Sequence, residues 1–139
     1  MYAIDELDID IKIIRNELKA IFMFFDYIKV SSMNRTDISI SSDYQIDLKI
    51  EDDRFKKNEK VVDLMEIIKI INQFDLKERI ILIEKYLRKN PVHQVINELY
   101  MSPRTYYRLQ KKIEHELYYA FLTRKKTLTL IDIGGSMCT

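Results

Sequence analysis

The apolar positions of the N-terminal thirty residues follow a single rhythm. Ile4, Leu7, Ile11, Ile14, Leu18, Ile21, Phe25 and Ile28 are separated by alternating steps of three and four, with no Gly or Pro between them. Such a repeat draws one stripe along a helix, and over several turns it is the a/d pattern of a coiled coil. The spacing predicts a long N-terminal helix over 1–30 whose stripe is a dimerisation seam, and hence a homo-oligomer, most simply a dimer. Ile9, Ile13, Phe22, Met23 and Phe24 widen the apolar face. A helix packed inside one chain, against the helix near 61–74, would have the same broad face.

The rhythm stops at 31–56. Ser31, Ser32, Asn34, Thr36, Ser39, Ser41, Ser42 and Asp43 are turn and cap formers, and a linker is expected there. Ile38, Ile40, Tyr44, Ile46, Leu48 and Ile50 fall at even positions, the alternative being a short strand or hairpin. Helical spacing returns near Lys57 with Val61, Leu64, Met65, Ile68 and Ile71. Asp75 and Glu78 then have the separation of a capping box. The helix that follows places Leu76, Ile80, Ile83 and Leu87 on one face. It ends before Asn90-Pro91, because Pro disfavours helical geometry in its predecessor.

Beyond Pro91 the pattern tightens. Val92, Val95, Ile96 and Leu99 mark a helix of about two turns, and Tyr100-Met101 turns the chain. Ser102-Pro103 opens another helix, Ser at the N-cap and Pro at the first helical position. This helix is expected to run to about Leu122, with Tyr106, Leu109, Ile113 and Leu117 inward. Ser102 and the outward Arg104, Thr105, Tyr107, Arg108, Lys111 and Lys112 are the candidate DNA-binding residues. A short helix, a tight turn and a longer basic helix form the helix-turn-helix arrangement, whose second helix enters the major groove. Arg can bridge guanine O6 and N7 with two hydrogen bonds. Hydroxyls, Lys and the free N–H groups of a helix start suit phosphate oxygens.

Charge strengthens this reading. The chain's formal net charge is +1, yet residues 1–53 carry net −6, residues 54–100 net +3 and residues 101–126 net +5. A basic segment beside an acidic one is a recognised hint of a nucleic-acid contact. Composition narrows the fold. Two Gly and two Pro in 139 residues argue against sandwiches and barrels, which need frequent turns. The expected class is all-α: a long N-terminal helix (1–30), a linker (31–56), a helical bundle containing the helix-turn-helix (57–124) and a tail (125–139). Thr127 to Ile133 alternate as a short strand would, which leaves the form of that tail open.

The stretch Phe74-Asp-Leu-Lys-Glu-Arg-Ile-Ile-Leu-Ile-Glu-Lys-Tyr-Leu87, with Val95-Ile-Asn-Glu-Leu99 and Met101-Ser-Pro-Arg-Thr-Tyr-Tyr-Arg-Leu109, resembles region 4 of sigma-70-type factors. In layout the chain is similar to small phage late-gene transcriptional activators of the RinA/ArpU kind. The resemblance implies binding to double-stranded promoter DNA and contact with RNA polymerase. Asn97 stands where the pattern often has a small residue, and Tyr100 where a Gly commonly supplies a left-handed turn.

Catalytic signals are lacking. Both glycines lie together at Gly134-Gly135, so no phosphate-binding loop is available. His93 and His115 have no Cys or carboxylate at metal-ligand spacing, and both are expected at the surface. No enzyme, metal or cofactor is expected. The single Cys138 leaves no internal disulfide, the acidic start is unlike a secretory signal, and no apolar run spans a membrane. A soluble cytoplasmic regulator is therefore the expectation. Two other classes compete: an adaptor that docks polymerase or a regulator without reading bases, and a small terminase-type packaging subunit, whose DNA module usually comes first in the chain.

Overall fold

A computed structural model describes residues 10–31, 36–51 and 57–138 of the chain. Its described residues are mostly helical, with one small sheet. In order they form α1 (Ile11–Ser31), β1 (Thr36–Ile40), β2 (Ile46–Ile50), α2 (Glu59–Ile71), α3 (Leu76–Tyr86), α4 (Val92–Leu99) and α5 (Pro103–Cys138). No helix among them is long and apolar enough to cross a membrane.

The apolar stripe of α1 enters the core of its own chain. Ile14, Leu18, Phe22 and Phe25 are buried there together with Leu64, Ile67 and Ile71 of α2, Ile81 to Ile83 of α3, and Ile113, Leu117 and Phe121 of α5. Ile11 and Ile21 are half-buried against the same cluster. These stripe residues are therefore core side chains rather than a free dimerisation seam. The physical reason is the breadth of the apolar face. Phe22 joins the buried line, so one broad face of α1 packs against helices of its own chain instead of presenting a narrow two-stranded seam. Ile4 and Leu7, and the side chain of Ile28, lie outside the described residues.

The segment expected to be a linker holds a hairpin. β1 and β2 pair antiparallel, with Ile38 opposite Leu48 and Ile40 opposite Ile46. The alternation outweighs the turn formers because Ile46 is buried and Ile38, Ile40 and Leu48 pack against the core. The polar residues concentrate in the connection. Ser41 pairs with Gln45 through an N–H to carbonyl bond of 2.9 Å, and the Tyr44 N–H returns to the Ser41 carbonyl at 2.9 Å. Tyr44 is left-handed at φ 58, the conformation that closes a three-residue hairpin loop.

Two side chains fasten this hairpin to the α2–α3 junction. The Ile46 N–H donates to Asn72 Oδ1 at 2.8 Å, and Asn72 Nδ2 donates to the Ile46 carbonyl at 2.9 Å. One side-chain amide thus takes the place of a neighbouring strand at that residue. Arg79 donates to three carbonyls, those of Phe74 (2.6 Å), Asp43 (2.9 Å) and Tyr44 (3.1 Å).

α2 begins at Asn58, whose side chain accepts from the Lys60 N–H at 2.9 Å. α3 begins at the expected capping box, with the Asp75 N–H donating to Glu78 at 3.1 Å. Leu76, expected inside, is exposed at its start, while Ile81 and Leu82 are fully buried. The backbone of α5 continues well past Leu122, so the 124/125 boundary falls within a helix and the strand reading of 127–133 is overturned. No Gly or Pro interrupts the chain between Pro103 and Gly134, and β-branched residues lower helix propensity only slightly. Arg124 pairs with Glu66 at 3.4 Å and Lys125 with Asp63 at 3.4 Å, which ties this extension to α2.

Candidate nucleic-acid interface

The turn between α4 and α5 is built by two caps. The Met101 N–H bonds the Ile96 carbonyl and the Tyr100 N–H the Asn97 carbonyl, both at 3.3 Å, which is the Schellman pattern. Tyr100 supplies the left-handed residue that this motif needs, at φ 53 and ψ 42. Its chain direction is the one a Gly would give, so the departure noted at this position leaves the turn intact. On the other side, Ser102 Oγ accepts the Thr105 N–H at 3.1 Å and donates to Thr105 Oγ1 at 2.9 Å. Pro103 then occupies the first helical position, where its missing N–H costs nothing.

α5 has two unlike faces. Tyr106, Ile113 and Leu117 are completely buried, as their spacing predicted, and Leu109 is half-buried. Gln110 and Glu114 are buried on the same side, one and two turns from Tyr106. Their polar character hid them from a search for apolar periodicity. Glu114 is fully buried and well satisfied. Arg15 Nε lies 2.9 Å from one carboxylate oxygen, Lys85 Nζ lies 2.8 Å from the other, and the Tyr86 hydroxyl donates to that second oxygen as well. Burial pushes the Tyr86 phenol well above its ordinary range, reinforced by the Glu114 charge, and pushes Tyr106 up to about 12. Burial also lowers the Lys85 ammonium, against the pull of Glu114. A buried charge needs such partners, and here they come from α1 and α3. α5 is thereby held from behind by two other helices.

His115 is buried as well, with Nδ1 donating to the Lys111 carbonyl at 2.8 Å. It is not the surface residue that its polarity suggested. One turn behind it the helix surface is crowded by Tyr119, whose ring lies 6.3 Å from the imidazole.

The opposite face is open. Ser102, Arg104, Thr105, Tyr107, Arg108, Lys111 and Lys112 are all exposed, so every predicted interface residue stands on one side of the helix start. Among the described residues, Arg104, Arg108 and Lys111 form no ion pair. Lys112 meets Glu116 at 3.8 Å across one turn, a pair too exposed to neutralise it. Burial raises the Glu116 carboxyl while Lys112 lowers it.

A family model described as "Protein of unknown function (DUF1492)" matches residues 37–118. The chain belongs to this family. The DUF1492 match begins within β1 and ends in the middle of α5, so it takes in the hairpin, α2 to α4 and the first half of α5. The hairpin is thus part of the DUF1492 unit, consistent with its anchorage through Asn72 and Arg79, whereas α1 precedes the matched residues. No curated protein and no solved structure matches the chain.

Proposed function

We propose that the chain is a sequence-specific regulator of transcription that binds double-stranded DNA with the first turns of α5 in the major groove. One observation carries the reading. Arg104, Arg108 and Lys111 stand exposed and without ion pairs among the described residues, on the outer face of a helix capped at its start and held from behind. Cations left without protein partners on a rigid helix are what phosphate and base contacts require. Arg104 and Arg108 reach base edges. Ser102, Thr105, Tyr107, Lys111 and Lys112 contact phosphates on either side. In the setting implied by the resemblance to sigma region 4 and the RinA/ArpU activators, the promoters are those of phage late genes. RNA polymerase is then the second partner, and the cytoplasm the place of action.

Selection of bound duplexes from a random pool tests this directly. A recurring sequence should emerge. Fluorescence anisotropy should then find that Arg104→Ala and Arg108→Ala each lose about 1–3 kcal/mol of preference for that sequence. Lys111→Ala and Lys112→Ala should instead weaken binding to any duplex and flatten its salt dependence. A pool that yields no enriched sequence would defeat base readout.

A further inference from the structure

A groove of about 230 Å³ opens between α1 and α3, lined by Lys19, Phe22, Met23, Lys85, Tyr86 and Lys89. Three of these are ammonium groups and three are apolar or aromatic. The rings of Phe22 and Tyr86, both buried, stack with centroids 5.3 Å apart and form the floor, and Met23 is 65% exposed beside them. The ammonium groups are not equivalent. Lys89 reaches Asp26 at 3.1 Å, and Lys85 reaches the buried Glu114 at 2.8 Å. Lys19 enters no ion pair among the described residues. Counting Arg15 behind the groove, four cations gather around two carboxylates, Glu114 and Asp26. Lys85 is also partly removed from water, and burial lowers its pKa.

A concave apolar surface with a local excess of positive charge is complementary to a ligand that is flat and apolar at one end and anionic at the other. Bare phosphate would satisfy the lysines and leave the apolar lining, chiefly Met23, wet. A neutral ring would cover the surface and leave the charge uncompensated. The volume falls below the range of about 300–1,000 Å³ for drug-sized sites, so the ligand is small. We propose that this groove binds a small aryl carboxylate, with its ring against Phe22, Met23 and Tyr86 and its carboxylate at Lys19 and Lys89. The bound ligand also neighbours Lys85, the residue that holds Glu114 of α5. The proposal rests on this groove alone and does not depend on DNA binding.

Naphthoate is a suitable probe for the full chain, followed by calorimetry and by amide NMR. Saturable one-to-one binding is expected, with shifts concentrated at Phe22, Met23, Tyr86 and Lys89. Lys19→Gln and Lys89→Gln should each weaken it about three- to fivefold, the scale of one solvent-exposed ion pair. Met23→Glu should abolish it while the helical circular dichroism is unchanged, because Met23 is exposed. Naphthamide, the neutral analogue, should bind more weakly than naphthoate, and inorganic phosphate more weakly still. Absence of saturable binding, or affinity untouched by all three substitutions, would overturn the site. Equal binding of naphthamide would reduce the groove to an apolar cleft, and equal binding of phosphate to a bare anion site; either would refute the ligand class.

Discussion

Arg15 Nε lies 2.9 Å from Glu114 Oε1, joining residues 99 positions apart in the chain. The carboxylate is fully buried and the arginine side chain is about one-third exposed, so the pair connects the surface of α1 to the inner face of α5. Removing the carboxylate would leave Arg15, Lys85 and the Tyr86 hydroxyl without their shared acceptor. Glu114→Ala should lower the free energy of unfolding by about 3–5 kcal/mol, since it strands buried charge as well as opening a cavity. Urea denaturation measures this. A loss below about 1 kcal/mol, the scale of a surface pair, would mean the network does not fasten α5.

Tyr106 makes the opposite case. Its hydroxyl is buried and has no hydrogen-bond partner among the described residues. Tyr106→Phe removes that unmet group and keeps the ring, so stability should rise by about 1 kcal/mol. The same burial sets a pH dependence. With its folded pKa pushed up to about 12, Tyr106 adds no pH dependence below about pH 10, and its buried neutral phenol makes stability fall as pH rises from 10 toward 12. Tyr86, also raised, acts in the same direction. Lys85, lowered, acts in the opposite direction, because its unfolded form binds the proton more readily. Tyr44 and Tyr118 are raised by burial as well, and four tyrosines against one lysine should give alkaline unfolding that begins near pH 10, coincident with the tyrosinate absorbance change. Tyr106→Phe should delay it. An onset unchanged by the substitution would remove Tyr106 from the account.

The elements that sequence pattern located well are those with local causes. The Asp75–Glu78 capping box, the Ser102-Pro103 helix start and the exposed face from Arg104 to Lys112 are each dictated by neighbours within a turn or two. What escaped depends on distant partners. The destination of the α1 stripe could not be read from its spacing, because Ile14 and Leu18 look alike whether they face α5 or a second copy. The hairpin was masked by serines that serve its loop, and its anchors, Asn72 and Arg79, lie 26 and 36 residues from the backbone groups they hold. Gln110 and Glu114 lacked the apolar mark of core residues, and only their i, i+4, i+8 register with Tyr106 hinted at an inner face.

Tyr100 holds a left-handed conformation at φ 53 with its ring 96% exposed. A non-glycine residue there costs roughly 1 kcal/mol or more, and the solvent-facing ring returns little through burial. Tyr100→Gly should relieve that strain, offset in part by the extra freedom that glycine gives the unfolded chain. The expected net effect, about half of the roughly 1 kcal/mol of strain, is a rise in melting temperature of about 1–3 °C. Calorimetry decides the sign. A fall would show that the ring, not merely the backbone angle, supports the turn.

Ile14 decides what the first helix is for. It is completely buried within one chain, beside the equally buried Leu18, whereas its neighbour Ile13 is 53% exposed. Ile14→Glu would drive a carboxylate into apolar packing with no cation of its own, at a cost of several kcal/mol. That is comparable to the whole stability of a small domain. The variant should therefore lose helical circular dichroism and cooperative melting at every protein concentration. Ile13→Glu, carrying the same charge one residue earlier, should fold as the parent does. An intermolecular seam predicts another outcome: Ile14→Glu would remain folded, with parental circular dichroism, and sedimentation would show only the loss of an oligomer. The complete burial of Ile14 favours unfolding.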